Sequence, residues 1–133
     1  IKKLKISDFC DKKTLIELLK ELKISSLKID YILGIYDAFK QNKINDDQIK
    51  KMDEINTRSL LMQYRGVGNW TCDMVLIFFL RYLNIFPRDD LIIKKVLIKI
   101  QEIESQSIDF EKIFSPYLSI FSLHLWKMSK RIL

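Results

Sequence analysis

Apolar residues that return every three or four positions, with few residues to interrupt them, restrict this chain to a helical fold. The 133 residues include three glycines and two prolines, and the spacing is clear at Leu15, Leu18 and Leu22. Because a helix has 3.6 residues per turn, this spacing gathers the apolar side chains on one face. The sequence therefore predicts an all-α helical bundle, in a single domain over residues 1–133.

Charge and cysteine content limit the functional classes. Lys and Arg number 23 against 17 Asp and Glu, a formal charge of +6, which favours a polyanionic partner or, equally, a solvated lysine-rich surface. Cys10, Cys72 and His124 are too few for a disulfide framework, a zinc site or a four-cysteine iron–sulfur cluster. No metal site is predicted, and without a secretory signal or membrane span the chain is expected to be intracellular.

Capping residues and prolines predict where the helices begin and end. The helix after residue 71 is apolar nearly all round as far as Leu80, so we expect it at the centre of the core. Residues 84–88 and 102–109 are predicted loops. The predicted helix starts are Ser7, Asp8 or Asp11, then Ser25, Asn45, Asn56-Thr57, Asn69 or Thr71, Asp89 or Asp90, and Ser115, with Pro116 at the first helical position.

Two glycines flank one small apolar residue in the segment RGVG, residues 65–68, between two predicted helices. Glycine permits positive φ and leaves no Cβ in the way, so the backbone of such a turn can approach a ligand closely. The amides of Gly66, Gly68 and Asn69 would then point from the start of the following helix towards an anion such as a DNA phosphate. Val67 is expected to anchor the turn by packing between the two helices.

The wider segment resembles the helix-hairpin-helix DNA glycosylase superfamily, specifically its 3-methyladenine DNA glycosylase II branch. The resemblance implies that superfamily's helical fold, with a hairpin motif over residues 57–83 and a catalytic-loop region over residues 84–101. It rests on LLMQYRGVGNWTCDMVLIFFL followed by FPRDDLIIKK. The matched positions are Gly66, Val67, Gly68, Trp70, Thr71, Phe86, Pro87, Asp90 and Leu91.

Asp90 is the catalytic carboxylate that the resemblance implies. Breaking an N-glycosidic bond develops positive charge at the sugar, and a carboxylate near C1′ stabilises that charge or activates water. The alternative is that Asp90 only caps its helix. Asp89 is the second choice because the acidic pair leaves the register open by one residue, and we expect it to be a polar, substrate-binding neighbour.

Trp70 stands where the strand-nicking branches of this superfamily carry a lysine. Without an amine there, no Schiff base with the sugar forms, which predicts a monofunctional enzyme. The indole is expected to stack on a flipped base, or alternatively to be a packing residue. The DNA contacts predicted with the hairpin are Arg65, Gly66, Val67, Gly68, Asn69, Thr71 and Lys94.

The predicted function is removal of damaged, alkylated purines from double-stranded DNA in base excision repair, in the nucleus or in a cytoplasm that contains DNA. Two alternatives stay open: a non-catalytic DNA-binding module, and a glycosylase for uracil or mismatched bases. No organic cofactor is implied, whereas a monovalent cation at Gly66 to Gly68 is a trait of the family. The family's N-terminal helices have no counterpart here, so we expect a fragment, a second chain that supplies them, or an inactive protein.

Overall fold

The computed structural model describes residues 11–133, and within that range every regular element is a helix. The prediction of an all-α fold is confirmed. No helix in this range is long and apolar enough to cross a membrane. The predicted caps Ser7 and Asp8, and Cys10, lie outside the described residues. The helices are α1 (Lys12–Glu21), α2 (Ser26–Lys40), α3 (Asp46–Lys50), α4 (Glu54–Leu61), α5 (Asn69–Met74, continued by a π-helical turn, Val75–Phe79), α6 (Leu91–Glu104), α7 (Phe110–Phe114) and α8 (Leu118–Ile132).

One of two compact units contains α1, α2 and α3, together with Tyr64–Gly66. Its core packs Leu15 and Leu19 of α1 against Ile29 of α2. The predicted cap at Asp11 is confirmed, because its side chain accepts the N–H of Thr14 at 2.7 Å. Such a cap satisfies one of the backbone donors that a helix start leaves unpaired.

The other unit contains α4 to α8. Two apolar clusters form its core, one around Leu76, Ile77 and Ile85 and the other around Ile93, Val96 and Leu125. Trp126 of α8 packs against both clusters. The single domain expected from chain length stays a prediction.

The helix expected at the centre of the core buries only one face. Leu76 and Ile77 are buried, but Phe78 and Phe79 are 57% and 42% exposed. The helix widens into its π-helical turn over these residues and ends at Phe79, with Leu80 as its C-cap. An apolar composition all round one helix therefore does not place it at the centre of this unit, and the expectation was wrong for its outer face.

Three predicted boundaries were also wrong. The helix expected to open at Asn56-Thr57 begins at Glu54, because Asp53 is the cap that accepts the N–H of Asn56. Helix α6 continues to Glu104, and the short helix α7 then occupies part of the segment expected to lead into the final helix. Pro116 is not at a first helical position, since Ser115 ends α7 and α8 begins at Leu118.

Candidate active site

Asp90 caps α6 and is held from two directions. Its Oδ1 accepts the backbone N–H of Ile93 at 2.9 Å, and its Oδ2 accepts the indole N–H of Trp70 at 2.8 Å. The residue is 7% exposed. The cap role weighed against catalysis is thus real, and the indole bond joins the start of α5 to the start of α6. The catalytic role of Asp90 stays a prediction.

The surroundings of Asp90 favour its ionised form. Burial, the largest effect, acts to raise the pKa of this carboxyl group. Hydrogen bonds, chiefly those from the Ile93 backbone and the Trp70 indole, together outweigh it, so the pKa lies below its usual value. Asp90 therefore carries a negative charge at neutral pH.

The aromatic ring bonded to this carboxylate is partly exposed. Trp70 is 47% exposed although its N–H is bonded, so part of its ring is open to a planar ligand. Phe78 stacks on Trp126 with the ring centroids 5.9 Å apart. Sequence reasoning chose Trp70 but treated Trp126 only as a motif match and missed Phe78. Helical spacing gave no signal that these two rings stack on each other.

Ser119 of α8 fixes the loop that leads to Asp90. Its hydroxyl donates to the carbonyl of Tyr82 at 2.6 Å and accepts the N–H of Ile85 at 3.0 Å. Its own N–H donates to the carbonyl of Leu83 at 2.9 Å. The loop closes on the other side through the N–H of Asp90, which donates to the carbonyl of Pro87 at 3.0 Å.

A polar cleft of about 770 Å³ opens in the same unit, and Asp89, Asn69 and Asp73 are among the residues that line it. Asp89 is exposed, with Lys94 Nζ 3.9 Å from its Oδ1. Asp90 is not among the residues that line this cleft. The two adjacent acids therefore have different surroundings, and only Asp90 has the buried, hydrogen-bonded environment of a fixed carboxylate.

An ion pair between half-buried Arg58 and buried Asp73 also faces the cleft. Arg58 of α4 donates to Oδ1 of Asp73 on α5 at 2.6 Å, and Arg58 also pairs with Glu54. Burial raises the pKa of Asp73, and the Arg58 guanidinium partly offsets that rise. The pair joins the two helices that flank the predicted hairpin, and sequence reasoning missed it because the partners lie 15 residues apart.

The residues predicted to contact DNA fall in both units. Arg65 and Gly66 belong to the unit of α1 to α3, where Gly66 has a φ of +85°. In the other unit Gly68 caps α5, and a Cβ at Gly68 would meet no atom within 4 Å. Val67 is half-buried, and its packing between the two helices stays a prediction.

The DNA contacts of these residues, of Asn69, of Thr71 and of Lys94 stay predictions, as does the monovalent cation. Among residues 11–133 no group of three or more His, Cys, Asp or Glu side chains could hold a metal ion.

The sequence is similar to those of proteins named as DNA-3-methyladenine glycosylases. DNA-3-methyladenine glycosylase 1 of Schizosaccharomyces pombe is 28% identical over 120 residues, 86% of this chain and 53% of that protein. Alkylbase DNA glycosidase-like protein mag2 of the same yeast is 32% identical over 121 residues, 86% of this chain and 57% of that protein. DNA-3-methyladenine glycosylase of Bacillus subtilis is 32% identical over 72 residues, 54% of this chain and 24% of that protein.

These names support the resemblance to DNA glycosylases found in the sequence. The chain spans about half the length of the two yeast relatives. No family model and no solved structure matches it.

Proposed function

We propose that this chain carries the catalytic carboxylate of a monofunctional DNA glycosylase that hydrolyses the N-glycosidic bond of alkylated purines, of the 3-methyladenine glycosylase II type. The observation that carries the proposal is the Asp90 carboxylate, which is buried, ionised and bonded to the half-exposed Trp70 indole. The names of the relatives supply the substrate class.

Asp90 acts in this proposal through its charge. An alkylated purine flipped out of the duplex is a good leaving group, and its departure leaves positive charge on the sugar ring. A carboxylate whose pKa is lowered is a weak base but a constant anion, so it stabilises that charge more readily than it removes a proton from water. The two hydrogen bonds fix the anion, which avoids the cost of reorienting it during the reaction.

Trp70 supplies the binding surface for the base. Its exposed ring can stack on a planar purine, and a cationic alkylated purine adds an attraction to the face of the indole. Because an indole cannot form a Schiff base, the product of this proposal is an abasic site with the strand intact. Trapping with borohydride should therefore give no covalent adduct with DNA.

Release of purines from methylated duplex DNA tests the proposal, with Asp90→Asn against Asp89→Asn as a matched pair. We expect Asp90→Asn to lower the rate by two or more orders of magnitude, as removal of one electrostatic group does elsewhere, and Asp89→Asn to change it by less than about fivefold. Equal losses in both variants, or full activity of Asp90→Asn, would refute the role given to Asp90.

A DNA-binding module without catalysis is the second candidate. The observation that favours it is that both carboxylate oxygens of Asp90 already accept hydrogen bonds within the protein, which suits a brace between α5 and α6. This candidate predicts that the protein binds duplex DNA and releases no base from it, whatever lesion is offered.

A further inference from the structure

The turn at Gly66 rests directly on the ring of Tyr31 from α2. Gly66 has a φ of +85°, and a Cβ built there would lie 2.2 Å from Cδ2 and 2.4 Å from Cγ of Tyr31. Such distances lie far inside van der Waals contact, so only glycine lets the backbone approach this ring. The turn and the Tyr31 ring are therefore in direct contact.

The same ring holds the neighbouring side chain. The guanidinium carbon of Arg65 lies 5.8 Å from the centroid of the Tyr31 ring, within the range of a cation–π contact. Arg65 is exposed, whereas Tyr31 is half-buried. A guanidinium that contacts an aromatic ring can still donate its N–H groups, and their fork-like arrangement matches the paired oxygens of a phosphate.

We propose that Tyr31 is a positioning residue that presents Arg65 to a phosphate of the DNA backbone. DNA as the ligand rests on the proposed function. The geometry of the ring, the turn and the guanidinium does not depend on any chemistry at Asp90. Tyr31 thus contributes to affinity through Arg65, and it fixes one contact of the protein with the sugar-phosphate chain.

The charge nearby indicates the side from which the phosphate approaches. A small cavity of about 200 Å³ beside the ring is lined by Asp30 as well as by Tyr31, Tyr64 and Arg65. The Asp30 carboxylate repels an anion from that cavity. The phosphate therefore meets Arg65 on its solvent side, and Asp30→Asn is expected to strengthen DNA binding slightly.

Helix α2 contains its own control. Lys40 Nζ lies 5.5 Å from the centroid of the Tyr36 ring, a second cation–π contact on the same helix. Tyr36 packs against the core of its unit and not beneath a glycine turn. Removing the Tyr36 ring therefore costs a comparable contact between a cation and an aromatic ring without disturbing the support of Arg65.

The test measures fluorescence anisotropy with an undamaged DNA duplex over a series of salt concentrations. Arg65→Ala should weaken binding and reduce the slope of log affinity against log salt by about 1, the share of one phosphate contact. Tyr31→Leu should lower affinity about threefold to fivefold, as expected for one cation–π contact. Tyr36→Leu should stay within twofold of the parent, and adding Tyr31→Leu to Arg65→Ala should cost nothing more.

A second measurement compares the DNA affinity of proteins with phenylalanine or fluorinated phenylalanines at position 31. These substitutions keep the shape of the ring and are expected to preserve the fold. Each added fluorine weakens the attraction of the ring for a cation, so affinity should fall stepwise from Tyr31→Phe onwards. Unchanged affinity across that series, equal effects of Tyr31→Leu and Tyr36→Leu, or full additivity with Arg65→Ala would overturn the proposal. Base release is measured separately. If the variants follow this binding pattern but the parent protein releases no purine, the proposed function is refuted and this inference stands.

Discussion

Replacing Ser119 by alanine should both destabilise the protein and release the loop that ends at Asp90. The hydroxyl of Ser119 is the partner of two loop groups, the carbonyl of Tyr82 and the N–H of Ile85. Ser119 and Ile85 are both buried. After Ser119→Ala, water has little access to the N–H of Ile85, so this group in particular is left without a partner.

The size of the effect follows from the two groups. A buried polar group left unpaired costs about 1–3 kcal/mol, and the Tyr82 carbonyl costs less than the Ile85 N–H because its bond is only partly buried. We therefore expect Ser119→Ala to lower the free energy of unfolding by about 2–4 kcal/mol. Ser122→Ala is the matched control, because Ser122 is equally buried but donates to Leu118 of its own helix. Because this is a local bond to the carbonyl four residues earlier in the same helix, Ser122→Ala should lower the free energy of unfolding by only about 0.5–1 kcal/mol.

Urea unfolding measures the stability of both variants, and the indole signals of the two tryptophans report on the loop. Because the Trp70 indole donates to Asp90, its N–H resonance should shift in Ser119→Ala and stay in place in Ser122→Ala. The signal is assigned with Trp70→Phe. If the two serine variants lose equal stability and neither moves the Trp70 resonance, Ser119 does not position the loop.

Three further predictions follow from single contacts. The lowered pKa of Asp90 stabilises the folded protein above the unfolded-state pKa, and that stability is lost as pH falls through the folded-state pKa. Trp70→Phe removes one of the bonds that lower this pKa, so the folded-state pKa rises. Acid unfolding of Trp70→Phe, followed by circular dichroism, should therefore begin at a higher pH than in the parent. Arg58→Met should cost about 3 kcal/mol in urea unfolding, because it leaves a buried aspartate of α5 unpaired; leucine at that aspartate as well should restore most of the loss. Gly34→Ala should raise the thermal midpoint, since its site in α2 is open and alanine favours a helix by about 1 kcal/mol, whereas Gly66→Ala should lower it.

Local signals in the sequence were sufficient for the fold class and for several helix starts. Asp11, Asn45 and Asp90 each cap a helix by accepting the N–H three residues ahead. Such a bond depends on a few consecutive residues, so it can be read from the order of residues alone. The cap at Asp53 was missed because Asn56-Thr57, three residues later, offered an equally good local signal.

The contacts that assemble the site could not be read in this way. Trp70 and Asp90 are 20 residues apart, and Arg58 and Asp73 are 15 apart. Helical spacing gives the face on which a side chain lies but not the element that the face meets. The exposure of Phe78 could not be predicted for the same reason, because the sequence does not show how many faces of a helix are covered by other elements.

Asp90 can cap α6 and also act in catalysis, so a loss of base release in Asp90→Asn has to be separated from a loss of the cap. A carboxylate has about four acceptor positions, and the bonds from Ile93 and Trp70 use two of them. Asparagine caps a helix about as well as aspartate, so Asp90→Asn should keep the bond from Ile93. The amide oxygen of the asparagine then faces Ile93 and its NH2 group faces the Trp70 indole, from which it cannot accept a hydrogen bond. The asparagine side chain also carries no charge. A variant that folds with nearly the parent's stability and binds DNA but releases no purine would therefore separate the anion from the cap.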